Sequence, residues 1–322
     1  MFNRYFISGC LIATTVTTAL ASTPPVFAAA EVRAVSAKQV GIIAKKTVVR
    51  IESSAGGFGS GVIIGRSEKG NKNVYTVLTA AHVVSKAEAN YQLISPVPLN
   101  STTTKKRVKL PLNTKTGITI LPGVDLALVT FSSEDTFAVG TLGNSGDADE
   151  GSPVYVAGFP QPGKAITRFA LQFTGGMISS RLDGEEDPGN KGGNGYDMAY
   201  TNVTRAGMSG GPVFDAAGRI VAIHGQGDRE SQNPDEAAAG IISSSQKTGF
   251  NLGIPIQTFL DLRPQARKLF GVKLDLSPLN YQLADNSVLI GTRNQKFVKK
   301  LRTRSASVPI TDVTKVNEEI PE

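Results

Sequence analysis

Short runs of alternating or continuous apolar residues, broken by glycine, proline and polar turns, fill most of this chain. Val48-Val49-Arg50-Ile51, Val62-Ile63-Ile64, Val74 to Thr79, Ile118 to Leu121 and the segment beginning at Asp125 have the length and spacing of β-strands. Beyond a connection at Gly143 to Asp149, a second series follows. It comprises Pro153 to Gly158, Phe169 to Thr174, Tyr200 to Val203, Val213-Phe214, Ile220 to His224 and Phe250 to Pro255. Helical spacing is confined to Ser36–Lys46 and Ile256–Phe270, and Ser95 to Gly117, rich in Thr, Lys and Pro, predicts a long hairpin or loop. The pattern predicts an all-β protein with a lead-in at 31–46 and two sets of strands, at 47–142 and at 143–270 with a closing helix. At 322 residues with 34 glycines, the chain has material for a large core and many turns.

The first thirty residues carry a different signal. Met1 to Phe6 contains Arg4 and no acid, Ile7 to Ala21 is apolar or small apart from Ser and Thr, and Ala28-Ala29-Ala30 precedes Glu31. This reads as a secretory signal peptide over 1–30, with export to a periplasm or the medium as the expectation. The apolar run falls short of the roughly 20 residues a membrane span requires. A lipoprotein reading is weaker, because the apolar stretch follows Cys10 instead of preceding it. Cleavage would remove the chain's one cysteine, leaving a fold that must be stable without disulfides.

Charge adds one feature. The net value is +7, falling to +6 with the loss of Arg4. Arg293, Lys296, Lys299, Lys300, Arg302 and Arg304 lie together without an acid in the extension at 271–322. Such a cluster reads first as a solvated tail and second as a weak contact for an anionic surface. Nothing in the sequence points to nucleic acid, a monomer is expected, and two histidines with no mature cysteine imply no metal or organic cofactor.

Three motifs carry chemistry, in the order Thr79-Ala80-Ala81-His82, Asp125-Leu126-Ala127-Leu128 and Gly207-Met208-Ser209-Gly210-Gly211-Pro212. A serine hydroxyl needs an imidazole to take its proton and a carboxylate to hold that imidazole's tautomer. His82, Asp125 and Ser209 can fill those roles, and glycines about Ser209 let successive N–H groups converge where an oxyanion would form. The pattern around Ser209 also fits the G-x-S-x-G elbow of α/β-hydrolases, whose histidine comes last in the chain. There the only histidine left is His224, fifteen residues on, too near to fit the intervening elements.

The ordered triple resembles the active-site blocks of trypsin-fold serine peptidases, over about residues 40–265. The resemblance implies two six-stranded antiparallel β-barrels with a C-terminal helix, and an endopeptidase acting through an acyl-enzyme on peptide or protein substrates. Gly207 and Ser209 would supply the oxyanion donors, and Gly225, Gln226 and Gly227 would pair with the substrate backbone. Val48 to Ile64 is similar to the opening of HtrA-type peptidases, though too few residues follow Phe270 for a PDZ domain. Ser209 to His224 is similar to glutamyl endopeptidases. In that family Val203 would lie at the base of the S1 pocket, disfavouring Arg or Lys. Thr204 and His224 would hold the carboxylate of a P1 glutamate, with aspartate second. A small apolar P1 side chain, or a non-catalytic binding module, are the alternatives. Met208 cannot pair with a newly cut N-terminus as the aspartate of digestive relatives does.

Overall fold

A computed structural model describes residues 31–281 apart from 71, 87, 100–106, 183–192 and 232–244. The signal peptide expected over 1–30 and the basic cluster from Arg293 to Arg304 lie outside the described residues.

The lead-in forms β1 (Val32–Arg33) and α1 (Ala37–Thr47). Ser36 caps α1 and forms a reciprocal capping box with Gln39, which satisfies donors that the first turn leaves open. The apolar stripe of α1 places Val40 and Ala44 in the core.

The first group of strands is β2 (Val48–Ser53), β3 (Phe58–Lys69), β4 (Lys72–Thr79), β5 (Tyr91–Ile94), β6 (Lys109–Pro111), β7 (Ile118–Ile120) and β8 (Ala127–Ser133). They pair in the order β6-β5-β2-β3-β4-β8-β7, all antiparallel, as a curled half-barrel whose outer strands do not pair with each other. Six strands in a closed barrel were the expectation here. The seventh comes from the Thr- and Pro-rich segment, where Lys109–Pro111 is a short edge strand on β5.

The second group does close. After β9 (Thr141–Leu142) come β10 (Pro153–Gly158), β11 (Gln172–Arg181), β12 (Met198–Tyr200), β13 (Pro212–Phe214), β14 (Ile220–Ser231) and β15 (Ser245–Pro255). The order β13-β10-β11-β12-β15-β14 returns to β13 through the β13–β14 pairing, giving a six-stranded antiparallel barrel. Strands β16 (Lys273–Leu274) and β9 extend it at β14 in parallel, and β17 (Leu279–Asn280) pairs with β1. The expected closing helix is two short helices, Ile256–Leu262 and Ala266–Phe270. Pro264 separates them, since it has no N–H to continue the ladder.

One apolar cluster spans both halves. Val62, Ile64, Leu78 and Leu128 of the half-barrel meet Ala157, Phe159, Phe214, Ile220 and Ile254 of the barrel, and Phe259 of the closing helices joins them. Burying side chains of this size contributes about 1.5–3 kcal/mol each, so the two halves stabilise one another.

At that junction Ser60 on β3 is fully buried. Its N–H donates to the Ser209 carbonyl at 2.8 Å, its hydroxyl donates to the Gly207 carbonyl at 2.9 Å, and the same hydroxyl accepts the Phe159 N–H at 2.8 Å. A strand of one half thus holds the Gly207–Ser209 loop of the other.

Arg219 is a buried cation of the second half. It donates to the Asp215 carboxylate from Nε at 2.7 Å and to the Ser277 carbonyl from Nη1 at 2.6 Å, which ties the turn before β14 to the chain leading into β17. Arg219→Met should leave Asp215 buried with its backbone donors but without its cation, at a cost of about 3–5 kcal/mol, read as a lowered midpoint in urea unfolding.

Candidate active site

His82 lies on the short helix Ala81–Val84 that follows β4, and Asp125 sits two residues before β8. Because β4 and β8 pair with Thr79 opposite Ala127, the strand register itself sets the two residues side by side. Asp125 Oδ1 accepts the His82 backbone N–H at 2.8 Å, and Oδ2 accepts His82 Nδ1–H at 2.6 Å. An ionised carboxylate only accepts, so Nδ1 carries a proton, and the tautomer this selects has Nε2 as its basic nitrogen. The Tyr196 hydroxyl also donates to Oδ2, in a short hydrogen bond. Burial pushes the Asp125 pKa up, but the hydrogen bonds from His82 and Tyr196 outweigh it and hold the carboxyl below its usual range.

Ser209 occupies the turn between β12 and β13, facing the same cleft of about 710 Å³ as His82 and Asp125. Ser209 and His82 make no hydrogen bond here. Catalytic contacts of this kind commonly tighten only once substrate is bound.

Gly207, at φ 94, occupies the left-handed region that favours glycine, and the Met208 N–H bonds to Arg205 O at 3.0 Å. The Ala206 carbonyl accepts the Gln161 N–H at 2.8 Å. Since a trans peptide sets its N–H opposite its C=O, that bond also fixes the direction of the Gly207 N–H. Among the described residues, neither the Gly207 N–H nor the Ser209 N–H donates to another protein group. Gly210, at φ 82, has no room for a side chain. A Cβ there would lie 2.1 Å from Thr79 Oγ1 and 2.2 Å from Ser60 O, the two atoms of a hydrogen bond between β3 and β4.

The residues expected to bind substrate divide. Thr204, His224, Gly225, Gln226 and Gly227 line the cleft; His224 prolongs the β13–β14 ladder, its N–H donating to Gly211 O at 2.8 Å and its carbonyl accepting the Gly210 N–H at 2.7 Å, so the strand edge begins at Gly225. Val203 corrects the expectation of a pocket base: it is 70% exposed and does not line the cleft. Residues 200–204 alternate, with Tyr200, Asn202 and Thr204 inward, so 203 points to solvent. Asn202 instead ties this segment inside, donating to Val154 O at 3.1 Å and Thr174 O at 2.7 Å.

His224 is 2% exposed, with Nδ1 at 2.7 Å from the Tyr200 hydroxyl. Burial raises the Tyr200 pKa well above its ordinary value, which keeps the phenol neutral. Thr204 donates its hydroxyl proton to Asn251 Oδ1 in a short bond, while Asn251 Nδ2 donates to carbonyls that include Asn202 O and Tyr200 O. Met208 is fully buried in the apolar interior of the barrel.

The profile of the trypsin-like peptidase domain matches residues 59–223, just over half of the chain. The chain belongs to that family. It is a serine endopeptidase, and its fold is shared with solved proteases at low identity. The crystal structure of Deg5 is 20% identical, with a TM-score of 0.50, over 73% of this chain and 95% of that one. A variant of the HtrA-type protease AlgW with a tripeptide is 20% identical at a TM-score of 0.51, over 74% of this chain. The match spans 65% of the AlgW chain. No curated protein sequence matches the peptidase.

Ser60, Tyr196, Tyr200 and Asn251 were not singled out from the sequence. Each acts through a partner far along the chain, and none belongs to a local motif.

The depressed Asp125 pKa stabilises the peptidase above the ordinary aspartate value of about 3.9, and this contribution is lost as pH falls through the folded-state value. Asp125→Asn should therefore lose less stability than the parent between about pH 5 and pH 2, measured by urea unfolding across that range.

Proposed function

We propose that the chain is exported and cleaves peptide bonds through a His82-Asp125-Ser209 triad, with glutamate, then aspartate, preferred at P1. The observation that carries this reading is the Asp125–His82 bond of 2.6 Å, opening on one cleft with Ser209. The AlgW variant's tripeptide gives a related fold with a bound peptide, which supports peptides as the ligand class. The small-residue site before Glu31 supports export.

Substrate backbone would add to the exposed edge at Gly225 to Gly227. His82 Nε2 then takes the Ser209 proton as Oγ bonds to the scissile carbonyl carbon. The oxyanion receives the Gly207 and Ser209 N–H groups. As the C–N bond breaks, His82 returns the proton to the leaving amine, and water repeats the sequence to release the acid.

A carboxylate in the cleft must meet donors to repay its desolvation. Thr204 and His224 are polar groups lining the cleft, as is the Arg205 cation. A bound carboxylate competes with Asn251 for the single Thr204 proton, because that proton is directed to Asn251 Oδ1. This same bond favours a second reading, in which Thr204 stays paired and the pocket takes a small apolar side chain.

Cleavage-site mapping on a peptide library with residues 31–322, beside a Ser209→Ala control, separates the two. Cuts after Glu and Asp are expected; cuts after Ala or Val would support the second reading, and identity with the control would end the catalytic one. His224→Val should lower kcat/KM for a Glu substrate by about a hundredfold while leaving fluorophosphonate labelling of Ser209 unchanged.

A further inference from the structure

The Asp125 carboxylate is held from two directions. His82 takes one side through its ring and its backbone. The other side is occupied by the segment around Gly193–Gly195, which approaches from the opposite half of the molecule, just before β12. This segment makes two contacts with the same residue. Asn194 O accepts the Asp125 backbone N–H at 2.9 Å, and the Tyr196 hydroxyl donates to Oδ2. For that geometry Asn194 adopts a left-handed conformation (φ 64, ψ 21), unusual for a residue with a side chain.

Space for the phenol is created by a third element. A Cβ on Gly225 of β14 would lie 2.0 Å from Tyr196 Cε1 and 2.2 Å from its hydroxyl oxygen. Any side chain at 225 would evict the tyrosine. Tyr196 is 6% exposed and packs with the apolar cluster shared by the two halves, so its ring is fixed from behind.

We infer that Tyr196 is a positioning residue for the triad: its hydroxyl holds Oδ2 of Asp125 in line with His82, and the absence of a side chain at Gly225 is what admits it. The inference rests on the triad reading. Its physical basis is that two donors on Oδ2 leave the carboxylate little freedom to rotate away from the imidazole. Burial, followed by the bond to Asp125, raises the Tyr196 pKa, so the phenol remains a donor at any pH where the enzyme works.

The test measures the rate at which a fluorophosphonate labels Ser209, a readout that does not depend on the P1 preference. Tyr196→Phe keeps the ring and removes the hydroxyl, and should slow labelling about tenfold with the thermal midpoint nearly unchanged. Tyr196→Ala should slow it at least as much. Adding Gly225→Ser to Tyr196→Ala returns a hydroxyl within reach of the vacated position, and should recover a substantial part of the rate without refilling the ring's volume.

Labelling of Tyr196→Phe at the parental rate, or a lowered midpoint with no rescue by Gly225→Ser, would assign Tyr196 to packing alone and overturn the inference. Failure of the parent protein itself to label would remove the triad reading, and this inference with it.

Discussion

The candidate active site is assembled across a seam, and one buried serine ties the Gly207–Ser209 loop to the opposite half. Ser60 belongs to the half-barrel, yet its N–H and hydroxyl bond to the carbonyls of Ser209 and Gly207, and its oxygen receives the Phe159 N–H. Groups so deeply buried cost about 1–3 kcal/mol each if left unpaired. The loop bearing Ser209 therefore has one low-energy position relative to β3. Thr79, three residues before His82, donates to Ser60 O at 2.7 Å, so the histidine's strand shares the same anchor.

The other components depend on that seam. Pairing of β4 with β8 sets His82 beside Asp125, but the outer face of Asp125 is covered by Asn194 and Tyr196 from the barrel side. The wall of Thr204, Asn251, Tyr200 and His224 is likewise knit from separate segments of the barrel, with Asn251 on β15 joining three inward residues of the segment at 200–204. The contacts of Asp125 with Tyr196 and of Tyr200 with His224 are neighbours that meet at β14, where His224 and Gly225 are adjacent.

Most of the strand order was legible because the longer strands alternate between turns, whereas Tyr91–Ile94 and the edge strand Lys109–Pro111 are too short to carry that signal. The triad candidates were legible because flanking residues such as Gly210-Gly211-Pro212 report a turn with tight packing. Val203 misled because counting from Ser209 fixes a position in the chain but not the face of the strand. The inward turn of Asn202, bound to Val154 and Thr174, decides it. Pro264 was visible, but the apolar spacing on either side concealed that it divides the closing helix. Ser60 and Tyr196 could not be recognised, since their partners lie 147 and 71 residues away. A glycine with no turn to make, such as Gly225, was the one local sign that something bulky needed its space.

Ser60 aligns the Ser209 loop from the other half. The direct measurement is the rate of fluorophosphonate labelling of Ser60→Ala at a temperature where circular dichroism shows it folded. A rate reduced about tenfold or more, with cooperative unfolding retained, is the predicted result. Labelling at the parental rate would contradict it, and would mean that the Gly207–Ser209 loop finds its position without the half-barrel.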